Sequence, residues 1–208
     1  MMPHSSDLDD GTPDSDGKVY ALLASADTCL IEQEWEDAAA AYFAALSIAP
    51  DCAEASFGLA TILSDLGQNE HALPYFAQAA EADSENARYW GELGIALGRA
   101  GNAEESLAAF EASLECDPLE EQTFVRIAAA KFQLGRFAEV VAYTNAMPLL
   151  QTHHPELLAL QASSLLALGR LSEARVSALK GKTRFPNSSL MLAVSAHIEN
   201  ATGVTEGG

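Results

Sequence analysis

The sequence has few basic residues, and those it has are unevenly placed. There are 11 Lys and Arg against 30 Asp and Glu, which gives a formal net charge of −19. Residues 1–125 contain 25 acidic and only 3 basic side chains, whereas residues 126–208 contain 5 acidic and 8 basic ones. Because nucleic-acid binding relies on basic contacts to phosphates, the acidic two-thirds of the chain makes nucleic acid a poor partner.

Cysteines and long apolar runs are also scarce. The three cysteines, Cys29, Cys52 and Cys116, are odd in number and lack metal-type spacing, which argues against a disulfide framework and favours a reducing, cytoplasmic location. No run of 18 apolar residues is present, so we expect no membrane span. Residues 1–17 are acidic and polar, and therefore predict a disordered tail rather than a signal peptide.

The sequence is rich in alanine and has a regularly repeating pattern of residues. Apolar residues make up 49% of the chain but aromatic residues only 7%, a mixture that suits closely packed helices better than sheets. The stretch 87–118 reads as two amphipathic helices joined at Gly101 and ended by Pro118. The same frame recurs every 34 residues, which is typical of helix–turn–helix solenoids. The predicted units are 19–52, 53–86, 87–120, 121–154, 155–188 and a final half-unit, 189–201.

Two positions of this frame have a clear physical meaning. The eighth position is always Gly or Ala, which lets two helices approach closely. Its residues are Ala26, Ala60, Gly94, Ala128, Ala162 and Ala196. The fifteenth position is Gln33 in the first unit and glycine in the next four, where glycine adopts a left-handed helix end without steric cost. Those glycines are Gly67, Gly101, Gly135 and Gly169.

On these residues the chain resembles the tetratricopeptide repeat family, over residues 19–200. The resemblance implies an all-α fold, an α-solenoid that forms a right-handed superhelix from five helix–turn–helix repeats and a C-terminal capping helix. In this interpretation residues 18–201 form the solenoid domain, and 1–17 and 202–208 are disordered tails. The first helix of each pair would line a concave groove.

The fourth predicted repeat departs from the family pattern. Lys131 and Thr144 replace apolar and aromatic residues, and Pro148 should end the second helix early. Residues 147–156 would then make an irregular bridge. The departure predicts either a hinge or simple drift in a tolerant surface helix.

We find no constellation of residues that would make this chain an enzyme. It has no phosphate-binding glycine loop, no HExxH and no CxxC, so we predict no catalytic residue, metal or cofactor. His153 and His154 are adjacent, and Glu156 is the only nearby acidic residue, which makes a weak metal site at best. A protein-binding scaffold or adaptor is the better hypothesis.

By resemblance, positions 2, 5, 9, 12 and 13 of each repeat face the groove. We expect its N-terminal part to be apolar with an acidic border, which suits a peptide or protein segment with apolar anchors and basic flanks. Gly91 and Gly98 would leave room for the ligand to approach. Alternatively, Leu30, Ile31 and Phe132 at these positions are partly buried packing residues. The predicted contact residues are Tyr20, Leu23, Phe57, Arg88, Ile95 and Arg99.

Three narrower hypotheses follow from the family. Modules that hold the acidic tails of chaperones use a basic clamp, and only Arg88 fits that pattern here, so we predict no clamp. The acidic composition and apolar groove also resemble cytoplasmic chaperones of type III secretion translocators, which is the alternative function. Finally, the basic C-terminal part could contact the acidic N-terminal part of another copy, giving weak self-association.

Overall fold

The structure, a computed structural model, describes residues 15–202. Within this range the chain forms eleven α-helices and no strand, so the all-α prediction is confirmed. The described residues divide after residue 84 into two compact units, with four helices in the first and seven in the second. The helices are α1 (Ser15–Ile31), α2 (Trp35–Ile48), α3 (Ala53–Asp65), α4 (Asn69–Ala82), α5 (Ala87–Arg99), α6 (Ala103–Cys116), α7 (Glu121–Gln133), α8 (Phe137–Asn145), α9 (Pro155–Ala167), α10 (Leu171–Arg184) and α11 (Ser189–Thr202).

The turn inside each helix pair has the same hydrogen-bonded geometry. At the end of α3, the Gly67 amide donates to the Ser64 carbonyl at 2.9 Å, and the Gln68 amide donates to the Leu63 carbonyl at 2.8 Å. This pattern is the Schellman motif, in which the residue after the helix adopts a left-handed conformation. The φ angles at that position are 63° for Gln33, 76° for Gly67, 84° for Gly101, 70° for Gly135 and 72° for Gly169. The prediction for the fifteenth position is therefore confirmed.

In the first unit, alanines lie where the helices cross. Four alanines of the repeating pattern, Ala26, Ala38, Ala60 and Ala72, are completely buried. The space that these small residues leave is filled by larger side chains, of which Tyr42 is 4% exposed. The buried core of this unit consists of Ala26, Ala38, Tyr42, Ala45, Ala55, Leu59 and Ile62. Small residues therefore set the helix spacing, as the sequence pattern predicts.

In the second unit, α5 and α6 approach each other through glycine and serine. A Cβ atom on Gly94 would lie 2.6 Å from the Phe110 ring, so only glycine fits there without a shift. The Ser106 hydroxyl donates to the Gly94 carbonyl at 2.7 Å, and the Ser113 hydroxyl donates to the Ala87 carbonyl at 2.8 Å. These bonds satisfy buried hydroxyls that would otherwise cost free energy.

The second helix of the irregular fourth pair is short, as Pro148 predicts. α8 has nine residues and ends at Asn145, and the 3₁₀ turn Leu150–Thr152 follows it. The side chain of Gln151 is 3% exposed. Its amide nitrogen donates to the Thr144 carbonyl at 2.6 Å, and its amide oxygen accepts a hydrogen bond from Lys180 Nζ at 2.7 Å. The bridge is thus hydrogen-bonded through Gln151 to α8 and α10.

The ends of the described chain differ slightly from the predicted boundaries. α1 begins at Ser15, so residues 15–17 are helical rather than part of a disordered tail; Asp16 in the first turn interacts favourably with the helix dipole. α11 includes Thr202, the first residue of the predicted C-terminal tail. The rest of both predicted tails, residues 1–14 and 203–208, lies outside the described residues.

Candidate functional site

Each first helix presents two exposed positions to its surroundings. Positions 2 and 13 of the 34-residue frame are exposed in all five first helices: Tyr20, Glu54, Arg88, Gln122 and Glu156, and then Ile31, Asp65, Arg99, Gln133 and Ala167. Position 5, by contrast, is buried in every pair after the first. On each first helix, positions 2 and 13 are therefore available to a ligand, whereas position 5 belongs to the packing in every pair after the first.

In the first unit, three of the predicted contact residues have different surroundings. Tyr20 is 74% exposed on α1. Leu23 is half-buried and packs against the core of this unit. Phe57 is only 8% exposed, and its ring meets that of Phe76 edge-on, with centroids 5.8 Å apart. Tyr20 is available for contact, whereas Phe57 packs against the second helix of its own pair.

Asp27, an acidic residue of α1, accepts a hydrogen bond from the core residue Tyr42. The Tyr42 hydroxyl donates to Asp27 Oδ1 at 3.3 Å. Burial raises the pKa of Tyr42 to about 12, and the neighbouring Asp27 carboxylate and its hydrogen bond contribute to the same shift. The ring of Tyr42 also covers Gly58, where a Cβ atom would lie 2.3 Å from ring atom Cζ. Asp27 therefore helps to orient a core residue that joins α1, α2 and α3.

In the second unit, the three remaining predicted contact residues lie on α5. Arg88 and Arg99 are exposed. Ile95 is half-buried and packs against the core cluster of Leu107, Phe110, Ile127 and Ala130. Arg88 and Arg99 therefore give α5 two exposed cations, and Ile95 contributes both to packing and to the surface.

The expectation that glycines on α5 leave room for a ligand is wrong. Gly91 is buried, and a Cβ atom on it would lie 3.5 Å from the Ser113 hydroxyl. A Cβ atom on Gly98 would lie 3.2 Å from the Ser106 hydroxyl. Both glycines thus lie against α6, and a Cβ atom would make an ordinary contact at Gly91 but would require Ser106 to shift at Gly98.

Sequence reasoning missed one residue beside this face. Arg126, on α7, places its guanidinium 5.9 Å from the centroid of the Phe110 ring and 3.8 Å from Glu120 Oε1. Its Nη1 is also 3.7 Å from where a Cβ atom of Gly91 would lie. The signal available in the sequence was a large cationic residue, Arg126, in the repeat after that of the small residue Gly91. The contact joins the consecutive helices α6 and α7 through the directions of their side chains, which the spacing of residues did not reveal.

Comparison with known proteins agrees with this architecture. The profile described as "Tetratricopeptide repeat" matches residues 59–121. The small glutamine-rich tetratricopeptide repeat-containing protein 2 of Mycosarcoma maydis is 27% identical over 118 residues, which are 57% of this chain and 34% of that protein. Both matches support a tetratricopeptide repeat protein. This chain spans about a third of the length of that curated relative.

Solved structures of other tetratricopeptide repeat proteins have a similar fold. YrrB, described as a tetratricopeptide repeat protein with an unusual peptide-binding site, is 17% identical with a TM-score of 0.78, covering 91% of this chain and 95% of YrrB. MamA is 12% identical with a TM-score of 0.69, covering 92% of this chain and 97% of MamA. At these identities the similarity supports the α-solenoid fold class alone.

The structure places His154 and the three cysteines within the described residues. In residues 15–202, no group of three or more His, Cys, Asp or Glu side chains is placed to hold a metal ion. His154 Nε2 lies 2.9 Å from Glu121 Oε2, which joins the starts of α9 and α7. Cys29, Cys52 and Cys116 are half-buried and free. No helix between residues 15 and 202 is long and apolar enough to cross a membrane.

Proposed function

We propose that this tetratricopeptide repeat chain is a non-catalytic scaffold or adaptor that binds a segment of another protein on the exposed face of its first helices. The observation that carries the proposal is on α1. Tyr20 and Ile31 are 74% and 83% exposed, and their separation is about three helical turns, so both side chains lie on the same face. Large exposed apolar side chains that share one helical face are typical of interaction surfaces.

The charges around this face define the chemistry of the partner. Asp27, Glu54 and Asp65 are exposed on α1 and α3, the two first helices of the first unit. A segment with apolar anchors for Tyr20 and Ile31 and with Lys or Arg beside them would match both features. Each anchor that becomes buried contributes about 1.5–3 kcal/mol before the costs of association are subtracted. The free cysteines fit a reducing compartment, and we place the protein in the cytoplasm.

The test uses a displayed library of random short peptides, selected on the intact chain. We expect the selected peptides to combine apolar residues with Lys or Arg. A variant that carries both Tyr20→Ser and Asp65→Lys should bind them at least about tenfold more weakly, because it loses one anchor and reverses one border charge. Fluorescence anisotropy with one labelled peptide measures the change.

The matched control is Phe43→Ser. Phe43 is 58% exposed on the second helix α2, so this variant removes a comparable aromatic side chain from a different face. It should bind the peptides as the unmodified chain does. Equal loss of binding in both variants, or selection of acidic peptides, would refute the proposed face.

A further inference from the structure

An apolar groove of about 390 Å³ lies in the second unit, where the turn between α6 and α7 meets the bridge that follows α8. Phe124 of α7 and Met147 and Leu150 of the bridge line it and are half-buried. Leu119 of the turn and Leu149 of the bridge also line it, and they are 87% and 78% exposed. The groove therefore has a partly buried apolar base and two leucines that remain in contact with water.

The fold does not require leucine at either of these exposed positions. Leu119 is at position 33 of the 34-residue frame, where the other four repeats have exposed polar residues: Asp51, Glu85, His153 and Asn187. Leu149 is at position 29, where the other four repeats also have exposed polar residues: Ser47, Glu81, Glu115 and Thr183. Two large exposed aliphatic side chains beside one groove are typical of an interaction surface.

Hydrogen bonds hold both leucines in place. Asp117 Oδ1 accepts a hydrogen bond from the Leu119 amide at 3.0 Å. The Leu149 carbonyl accepts one from the Thr152 amide at 2.9 Å, and the Gln151 side chain joins the bridge to α8 and α10. Because the segments that form the groove are already bonded in the free protein, a ligand would order little of the chain on binding.

The charge at the groove is negative. Glu121 lines it, and within the described residues its lining includes neither Lys nor Arg. Glu121 Oε2 lies 2.9 Å from His154 Nε2, whereas Oε1 makes no hydrogen bond or ion pair with the described residues. Asp117, which precedes the lining residue Pro118, makes no ion pair with the described residues either. A Lys or Arg beside the apolar residues of a ligand would therefore pair with these carboxylates.

The same charge disfavours occupants from this chain itself. A symmetric contact between two copies of the groove would bring two copies of Asp117 and Glu121 together, and like charges repel. Residues 1–14 contain four Asp and no Lys or Arg, so they would be repelled as well. The chemistry of the groove instead fits a cationic segment of a different protein.

We propose that this groove binds a short apolar segment of a partner protein, with Lys or Arg beside its apolar residues. Aliphatic or aromatic side chains of that segment contact Leu119, Leu149 and the base of the groove, and its cation pairs with Glu121. The groove is formed by the second unit, whereas Tyr20 and Ile31 lie on α1 of the first unit. The proposal therefore goes beyond the first-helix face and does not depend on binding there.

The probe is a library of short displayed peptides in which two positions are Leu, Ile or Phe and the flanking positions are either Lys or Glu. Selection uses the full chain with Tyr20→Ser and Asp65→Lys, so that binding at the first-helix face does not determine the outcome. We expect Lys-flanked peptides to be enriched at least about tenfold over Glu-flanked ones.

NMR titration of the isotope-labelled full chain with one selected peptide locates its binding. We expect the methyl signals of Leu119, Met147 and Leu149 to shift. Because the groove is small, the expected dissociation constant lies between about 10 µM and 1 mM.

Two neutral variants test the apolar contacts. Leu119→Asn and Leu149→Thr introduce the residues that the fifth repeat has at the same positions, Asn187 and Thr183, so the fold and the net charge should be retained. Each variant should weaken binding at least about fivefold in fluorescence anisotropy, because each removes an apolar contact. Leu192→Thr is the matched control. Leu192 is 45% exposed on α11 and does not line the groove, so this variant should bind normally.

Glu121→Gln tests the charge. This variant should bind the Lys-flanked peptide about threefold more weakly than the unmodified chain does. It should bind a peptide whose lysines are replaced by glutamine as well as the unmodified chain does. The difference between the two peptides assigns the effect to the carboxylate rather than to the shape of the groove.

Any of three results would overturn the proposal. The first is enrichment of Glu-flanked peptides, or of neither kind. The second is unchanged binding of the selected peptide to both Leu119→Asn and Leu149→Thr. The third is concentration-dependent sedimentation of the unmodified chain that Leu149→Thr abolishes, because the groove would then bind a second copy of this chain rather than a partner segment.

Discussion

Gln33 is the one described residue other than glycine with a positive φ angle, and replacing it by glycine should stabilise the protein. Its φ is 63°, close to those of the four glycines at the equivalent position. A side chain with a Cβ atom costs about 1–2 kcal/mol in the left-handed conformation. Glycine removes that cost but adds about 0.5–1 kcal/mol of chain entropy to the unfolded state. The net gain is about 0.5–1 kcal/mol.

This gain can be measured as a shift in thermal unfolding. For a chain of this size, 1 kcal/mol raises Tm by about 2–4 °C, so Gln33→Gly should raise it by about 1–4 °C in circular dichroism melts. The Gln33 side chain makes no hydrogen bond with the described residues, so its removal should cost little by itself. The change in Tm therefore reports mainly the cost of the left-handed backbone conformation at position 33.

The reciprocal exchange provides the control. A Cβ atom at Gly67 would have no heavy atom within 4 Å, so Gly67→Gln changes backbone conformation without a steric clash. It should lower Tm by a similar amount. Gln33→Ala should leave Tm nearly unchanged, because alanine keeps the Cβ atom. An equal rise for the alanine and glycine variants, or a neutral Gly67→Gln, would contradict the reasoning.

Two further predictions concern buried groups. The Tyr143 hydroxyl is buried without a hydrogen-bond partner among the described residues, so Tyr143→Phe should stabilise the chain by about 1 kcal/mol in thermal melts. Burial, and to a lesser extent Glu111, raises the pKa of Tyr143 from 10 to about 12. The stability contributed by keeping the Tyr143 hydroxyl protonated is therefore complete below pH 10 and is lost as the pH rises through 12. The Tyr143→Phe variant should lose less stability over that range. An unchanged pH profile would count against this. Gly94→Ala should destabilise by about 1–3 kcal/mol through its clash with Phe110; combining it with Phe110→Leu should recover part of the loss, and no recovery would show that the clash lies elsewhere.

The sequence alone determined the features that depend on local spacing. The 34-residue recurrence of small residues was visible in the sequence, and the left-handed turns at Gly67, Gly101, Gly135 and Gly169 and the end of α8 before Pro148 follow from backbone preferences of glycine and proline. Those preferences act over a few residues, so they can be predicted without knowing the fold. The resemblance to the tetratricopeptide repeat family depends on the same recurrence.

Tertiary structure alone decided which side chains of the first helices are available to a ligand. Phe57 and Tyr20 are both aromatic residues at groove positions of the pattern, yet one is packed against Phe76 and the other is exposed. Gly91 faces α6 rather than a ligand, and Arg175 is exposed where Val141 is buried. In each case burial depends on whether a neighbouring helix covers the position. Such coverage depends on how helices pack in space, which residue spacing does not specify.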